Sequence, residues 1–290
     1  MKASILSRLG LFYGLAKPER TLTNVMTAVA GYLFASQWHI SWDVFLALAA
    51  GLTLVIASAN VLNNFIDKDI DQQMERTQKR ALPSGQISAA ASTIYAAILG
   101  LLGFWVLSYT NWLTLVIVAI AYIWYVAIYG YAKRRTPHST LIGTVPGGAS
   151  LVAGYTAVTD ELDKTAVFLF LIMVSWQMVH FYAIAVFRLK DYKAAKIPVL
   201  PLKMSLNETK IQMIFYSGFF IFATSWLTWE GYTGYIYLAV MLALGATWLR
   251  MVISGLNARD NTQWASGVFK FSLIVLLVMC AAIALGPLLP

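Results

Sequence analysis

Apolar stretches long enough to cross a lipid bilayer recur along almost the whole of this 290-residue chain. A hydrocarbon core of about 30 Å is crossed by roughly 20 predominantly apolar residues in a helix. Because lipid offers the backbone no hydrogen-bond partners, a chain with many such stretches folds as a bundle of helices. The sequence therefore predicts an all-α, polytopic membrane bundle of about nine transmembrane helices, which forms a single domain over residues 1–290. The predicted spans are Thr21–Ser36, Val44–Ile66, Ile94–Tyr109, Trp112–Tyr131, Thr140–Thr159, Ala166–Phe187, Ile211–Thr228, Tyr232–Leu249 and Phe269–Leu285.

Composition and charge placement agree with a protein of the lipid bilayer. Hydrophobic residues make up 59% of the chain and charged residues only 12%, and the mean hydropathy is +0.68, which excludes a soluble domain of this size. With the N-terminus in the cytoplasm, all of the 21 basic residues except Lys164 fall on the cytoplasmic side, as the positive-inside rule requires. The net charge of +8 then reflects topology and anionic substrates, with no indication of nucleic-acid binding.

Three side chains with oxygen ligands lie four residues apart at the end of the second span, at Asn63, Asp67 and Asp71. On a helix, a four-residue step advances by about 40°, so these side chains form one stripe that faces a common volume. Mg²⁺ prefers oxygen ligands of this kind. The spacing therefore predicts a magnesium site at the end of the span.

Basic side chains follow this stripe within the same loop, at Arg76, Lys79 and Arg80. Guanidinium and ammonium donors suit a phosphate that also contacts a bound metal. Metal plus diphosphate is the leading interpretation. The alternative is that the Asn and the two acids cap a transmembrane helix and solvate a loop at the membrane boundary.

The segment from Asn63 to Gly85 also resembles the prenyltransferase motif of the UbiA superfamily. That motif has an Asn, acids four and eight residues later, and then Met, Arg-Thr, Arg and Gly. The resemblance implies a UbiA-type fold and a Mg²⁺-dependent prenyl transfer. The matching residues here are Asn63, Asp67, Asp71, Met74, Arg76, Thr77, Arg80 and Gly85.

Two long polar loops, Asp67–Ser88 and Arg188–Lys210, both fall on the predicted cytoplasmic side. Each follows a span that ends in polar residues, and each contains acids, bases and proline. This pattern suggests a distant internal duplication with two half-sites that face one cavity. Two unrelated amphipathic surface helices are the alternative.

The second loop resembles the protohaem IX farnesyltransferase (haem O synthase) family, in which a WQ...H segment leads into KDY...IPxLP. Many other superfamily members have acids four residues apart here, but Phe187 and Ala195 flank Asp191 at those positions, as expected of the haem branch. The second loop then contributes one carboxylate. The matching residues are Trp176, Gln177, His180, Lys190, Asp191, Tyr192, Ile197, Pro198, Leu200 and Pro201.

This resemblance implies transfer of the farnesyl group of farnesyl diphosphate to a vinyl group of haem B (protohaem IX), with water addition, giving haem O and diphosphate. Mg²⁺ would neutralise the leaving diphosphate. The implied metal ligands are Asn63, Asp67, Asp71 and Asp191, the diphosphate-binding residues are Arg76, Arg80, Lys133 and Arg134, and the catalytic set is Asp67, Asp71, Asp191, Lys190 and Tyr192.

His180 is the predicted haem-binding residue, because it falls in the sixth span beside this motif. It could equally hydrogen-bond a neighbouring helix. Contact with haem does not by itself imply that His180 ligates the iron. An aromatic, quinone-precursor polyprenyltransferase with the same diphosphate site is the alternative function, and a transporter or channel is the third.

The expected location is the bacterial inner membrane, because the N-terminal segment has no transit-like or cleavable-signal pattern. The chain would cross this membrane several times, with the active site on the cytoplasmic side. Association with a haem A synthase or a terminal oxidase is left open.

Overall fold

A computed structural model describes residues 5–290, with side chains from Leu9 onward, and every regular element in that range is helical. The long helices are α2 (Pro18–Ser36), α3 (Trp42–Ile66), α5 (Ala89–Leu107), α6 (Trp112–Ile123), α8 (Ser139–Thr159), α9 (Lys164–Phe187), α12 (Leu206–Trp229), α13 (Tyr235–Ile253) and α14 (Asn261–Leu285). The short helices are α1 (Ile5–Leu15), α4 (Lys68–Gln72), α7 (Gly130–Ala132), α10 (Leu189–Ala194) and α11 (Leu200–Lys203). A π-helical turn, Trp124–Tyr129, joins α6 to α7 in one continuous rod.

The prediction of an all-α bundle of about nine spans is confirmed. Among the described residues, eight helices are long and apolar enough to cross a membrane. The ninth long helix, α2, begins with the polar segment Pro18–Asn24 and packs against α3, α8 and α14. The predicted cytoplasmic N-terminus falls partly on residues 1–4, which lie outside the described residues.

Two helices begin well before the apolar residues that marked their spans. Helix α12 starts at Leu206, because Ser205 and Glu208 form a reciprocal capping box. Helix α14 starts at Asn261, because the Asp260 carboxylate accepts hydrogen bonds from the first free backbone N–H groups. Hydropathy alone detects the lipid-spanning part of a helix and misses such capped polar turns.

Helix α8 runs unbroken through Pro146, although proline cannot donate to the carbonyl four residues earlier. That carbonyl belongs to Ile142, and it accepts instead from the indole Nε1 of Trp124 at 2.9 Å. Gln177 Nε2 donates to the nearby Thr144 carbonyl at 3.1 Å. Side chains of α9 and of the π-helical turn therefore satisfy the backbone that the proline weakens.

Helices α2 and α8 form the centre of the bundle and meet through glycines. A Cβ atom at Gly154 would lie 1.8 Å from the Ala28 carbonyl oxygen, and one at Gly31 would lie 2.2 Å from that of Leu151. Small residues allow such close backbone contact between membrane helices. Helix α3 flanks α2 on one side, and α9 flanks α8 on the other.

The two polar loops follow α3 and α9 in the same way. A single residue, Asp67 after α3 and Arg188 after α9, separates each long helix from the short helix that follows. Buried apolar residues of both loops share one cluster, in which Met74 packs with Ile197 and Val199. The two loops thus meet at one end of the bundle, while the duplication itself stays a prediction.

Candidate functional site

A cavity of about 650 Å³ lies inside the bundle, at the end where the two polar loops meet. Helices α2, α3, α6, α8, α9 and α14 contribute its walls. One part of the wall is densely charged and another is largely aromatic. Most of the predicted residues lie in the charged part.

The acidic stripe predicted from the sequence is present on this wall. Asp67 and Asp71 are each only 3% exposed, and the stripe continues past the end of α3 because Asp71 N–H donates to the Asp67 carbonyl at 2.8 Å. Asp67 Oδ2 accepts from Lys133 Nζ at 2.6 Å and from Asn63 Nδ2 at 3.0 Å. Asp71 Oδ2 accepts from Arg80 at 2.7 Å.

Lys17 adds a further cation, which the sequence did not assign to the site. Its Nζ donates to Asn63 Oδ1 at 2.8 Å, and its backbone has a φ of 49°, a conformation that costs a non-glycine residue on the order of 1 kcal/mol or more. Burial, together with the nearby cations Arg20, Arg80 and Lys133, lowers the pKa of Lys17 well below its usual range. A bound polyanion would relieve this crowding of positive charge.

The donor set fits a divalent cation at Asp67 and Asp71. Asp67 Oδ1 is buried and has no hydrogen-bond partner among the described residues, which is costly for a carboxylate unless a cation or water reaches it. No three His, Cys, Asp or Glu side chains in residues 5–290 are grouped closely enough to hold a metal by themselves. Two carboxylates and the Asn63 amide suit Mg²⁺, which commonly keeps water and phosphate oxygens as its other ligands.

The predicted site residues divide into two groups. Those that line the cavity are Asn63, Asp67, Asp71, Arg76, Arg80, Lys133, His180 and Tyr192. Those that are absent from its walls are Arg134, Lys190 and Asp191.

Two residues of the second group have identified partners. Both terminal nitrogens of Arg134 donate to the Asp69 carboxylate at 2.7 Å, and this hydrogen bonding lowers the pKa of Asp69. Asp191 lies 3.9 Å from Arg76 Nε and joins the two loops at the mouth of the cavity. A diphosphate role for Arg134 and a metal role for Asp191 stay predictions.

Aromatic rings of α9 and α14 form the second part of the wall. The rings of Trp176 and His180 stack with centroids 4.8 Å apart, and Phe269 lies 5.2 Å from His180. Phe187 continues the series, with its ring 6.3 Å from that of Phe269 and nearly parallel to it. This series of four rings, the aromatic wall, leads from inside α9 to its last residue.

The hydrogen bonds of Ser272 fix the tautomer of His180. The Ser272 hydroxyl has a single hydrogen and donates it to the Phe269 carbonyl at 2.6 Å. It must therefore accept from His180 Nδ1, which lies 2.6 Å away. Nε2 is left as the nitrogen with a free lone pair, on a ring that lines the cavity.

Two tyrosines of the charged region were not predicted from the sequence. Tyr125 and Tyr129 stack 5.6 Å apart in the π-helical turn and line the cavity. Gly143 makes room for Tyr129, since a Cβ there would lie 2.7 Å from its ring. A signal was present, because Tyr125, Tyr129 and Lys133 repeat the four-residue spacing of the acidic stripe.

Comparison with known proteins gives concordant matches. The model of the UbiA prenyltransferase family matches residues 24–274. A protoheme IX farnesyltransferase of Protochlamydia amoebophila is 42% identical over 93% of this chain and 95% of its own length. A protein of the same name from Pseudomonas savastanoi pv. phaseolicola is 44% identical over 91% of this chain and 90% of its own.

Solved structures share the fold. A digeranylgeranylglyceryl phosphate synthase superposes with a TM-score of 0.81 at 22% identity, over 97% of this chain and 99% of its own. A UbiA homolog from Archaeoglobus fulgidus, bound to GPP and Mg²⁺, superposes with a TM-score of 0.70 at 14% identity, over 94% and 99% of the two chains.

Proposed function

The chain belongs to the UbiA prenyltransferase family, and from this premise we propose that it transfers the farnesyl group of farnesyl diphosphate to a vinyl group of protohaem IX. Addition of water to the resulting cation gives haem O, and diphosphate is released. The observation that carries the proposal is one cavity with a charged wall for a diphosphate and an aromatic wall for a flat, apolar acceptor. The quinone-precursor alternative is not favoured, because the relatives at 42% and 44% identity are protoheme IX farnesyltransferases.

The charged wall binds the diphosphate in this proposal. Lys17, Arg76, Arg80 and Lys133 all line the cavity and supply more positive charge than the two neighbouring aspartates neutralise. An uncompensated charge at bilayer depth costs about 3 kcal/mol on insertion scales, so these cations gain from a polyanion. Fixed donors of this kind stabilise the charge that develops on the diphosphate as its carbon–oxygen bond breaks.

Asp67, Asp71 and Asn63 would hold Mg²⁺, as the unpartnered Asp67 Oδ1 suggests. When bound, the ion would add to the neutralisation of the diphosphate oxygens. Lys133 and Arg80 have a separate task, which is to hold the carboxylates of Asp67 and Asp71 in place through ion pairs of 2.6 and 2.7 Å. Without those cations the two carboxylates would repel each other inside the protein.

The apolar part of the cavity protects the allylic cation that remains when diphosphate leaves. Leu52, Val55 and Val118 are buried apolar residues of its walls, and Tyr125 and Tyr129 offer aromatic faces next to the charged region. Aromatic faces attract cations, and walls without water prevent premature capture of the carbocation. The π electrons of the vinyl group then form the new carbon–carbon bond.

The aromatic wall holds the acceptor. Trp176 and Phe269 offer flat surfaces to a porphyrin, and His180 Nε2 presents a lone pair from the same surface. Tyr192 lines the cavity mouth, where it orients a substrate, and Lys190 lies outside the wall on α10. We place the active site on the cytoplasmic face of a bacterial inner membrane, because the loops at the mouth contain many of the basic residues.

The test is conversion of protohaem IX by the purified protein in detergent, with farnesyl diphosphate and Mg²⁺ and mass spectrometry of the extracted haem. A haem O peak that grows with time supports the proposal. Prenylation of an added hydroxybenzoate or naphthoate, with no haem product, would transfer the acceptor assignment to the quinone branch.

A further inference from the structure

Arg188 follows the last residue of α9 and has no role in the reaction as described so far. It occupies the position after α9 that Asp67 occupies after α3, and the backbone angles are alike, with φ and ψ of −105° and 25° against −88° and 5°. Asp67 directs a carboxylate into the charged part of the cavity. Arg188 places a cation at the corresponding point of the second polar loop, where it lines the same cavity.

The guanidinium group of Arg188 lacks an acidic partner. Arg76 pairs with Asp191 and Arg80 with Asp71, but no carboxylate of the described residues lies within 4 Å of Arg188, or of Arg20, which lines the same cavity from α2. Its Cζ instead lies over the Phe187 ring, 4.3 Å from the centroid. A cation held on an aromatic face keeps its outer N–H groups free for a ligand.

Arg188 also stands at the open end of the aromatic wall. Phe187, which supports its guanidinium, stacks on Phe269, and Phe269 contacts His180. Eight residues separate His180 from Arg188, which corresponds to about 12 Å along a helix. A flat molecule that lies on this wall would therefore bring one edge to the guanidinium.

We propose that Arg188 binds a propionate carboxylate of protohaem IX and so fixes which edge of the porphyrin faces the cavity mouth. The inference rests on the proposed function and specifies how the acceptor is oriented. Protohaem is an apolar ring with two propionates. In this orientation the ring is buried against the aromatic wall, while a propionate carboxylate pairs with the guanidinium at the cavity mouth. Arginine suits this task, because its planar fork matches a carboxylate with two parallel hydrogen bonds.

A competing role for Arg188 is a further contact to diphosphate, since Arg76 lies nearby and both residues line the mouth. The two roles differ in which substrate is affected by removal of the side chain. A propionate contact affects protohaem alone, and it disappears when the propionates are esterified. A diphosphate contact affects farnesyl diphosphate, whatever the form of the haem.

The experiment compares wild type with Arg188→Ala and Arg188→Lys, using protohaem IX and its dimethyl ester. Binding of each porphyrin to the protein is titrated by absorbance without farnesyl diphosphate, and the apparent KM of each substrate is then measured in turnover. Arg135→Ala is the matched control, because Arg135 also lies on an aromatic ring, 4.1 Å from the centroid of Tyr131, but does not line the cavity.

We expect Arg188→Ala to weaken binding of protohaem roughly ten- to a hundredfold, the loss typical of a hydrogen-bonded charge pair. The KM for farnesyl diphosphate should stay within about twofold, and wild type and variant should bind the dimethyl ester equally. The affinity of Arg188→Lys for protohaem should lie between those of wild type and Arg188→Ala, and that of Arg135→Ala should equal that of wild type.

An equal loss for protohaem and its ester, or a raised KM for farnesyl diphosphate with unchanged porphyrin binding, would overturn the assignment. Failure of the proposed function has a different signature, which is absence of haem O from the wild-type protein. The porphyrin titrations give their result in either case, because they need no turnover.

Discussion

Replacing Asp67 with Asn separates its function from its contribution to stability. The side chain of Asp67 is 4% exposed and that of Lys133 only 18%, and Asp67 Oδ2 lies 2.6 Å from Lys133 Nζ. Removing one partner of a buried ion pair leaves the other charge uncompensated, which costs about 3–5 kcal/mol. We expect the lower end of that range, because Lys133 lines the cavity and its side chain is partly exposed, so the ammonium group keeps some access to solvent.

The effect on catalysis should exceed what the loss of stability explains. Asp67→Asn removes the charge of a proposed metal ligand, and loss of one preorganised group that stabilises a transition state lowers kcat roughly 10²- to 10³-fold. Unfolding in detergent is followed by tryptophan fluorescence, and haem O formation is measured at a temperature where the variant is folded. Adding Lys133→Met should restore most of the stability, because no lone charge stays buried, but no activity.

Recovery of activity in the Asp67→Asn/Lys133→Met double variant would contradict a role of Asp67 in holding the metal. It would show that Asp67 serves only to pair with Lys133, and the metal site would lose its main support. Lys133→Met alone is the control, which should weaken farnesyl diphosphate binding while Asp67 is retained.

Three other predictions concern the proposed diphosphate site, the packing of α8 on α2 and the support of His180. Arg76→Ala should raise the apparent KM for farnesyl diphosphate severalfold in steady-state kinetics, and unchanged kinetics would exclude it from the diphosphate site. Gly154→Ala should lower the free energy of unfolding by roughly 1–3 kcal/mol, because the new Cβ would overlap the α2 backbone. Gly218→Ala adds a Cβ in open space and should leave the free energy of unfolding unchanged. Ser272→Ala removes the acceptor for His180 Nδ1 and should change the absorption spectrum of bound protohaem; an unchanged spectrum would argue against contact between His180 and the iron.

The features that the sequence predicted well are local ones. Span length and hydropathy depend on neighbouring residues alone, so the bundle and its approximate helix bounds followed directly. The stripe of Asn63, Asp67 and Asp71 depends only on helical spacing, and the structure brings these residues together with Lys133 and Arg80.

The features that the sequence could not resolve depend on how the loops fold back. Lys133 and Arg134 are adjacent in the turn after α7, but their side chains diverge, so Lys133 reaches Asp67 in the cavity while Arg134 reaches Asp69 outside it. Arg188 was merely one base in a basic loop until packing placed it at the cavity mouth. Tertiary contacts decide which acid each base pairs with, and the spacing of residues in the sequence gives no information about those contacts.

In the proposed reaction, buried carboxylates and cations use a divalent metal to transfer farnesyl to protohaem. The most direct test incubates purified protein with protohaem IX and farnesyl diphosphate, with Mg²⁺ or with excess chelator, and quantifies haem O by mass spectrometry. We expect haem O with Mg²⁺, almost none with chelator, and recovery of haem O formation when Mg²⁺ is restored. Equal amounts of haem O with and without chelator would contradict the metal site at Asp67 and Asp71, and no prenylated haem under any condition would contradict the proposed reaction.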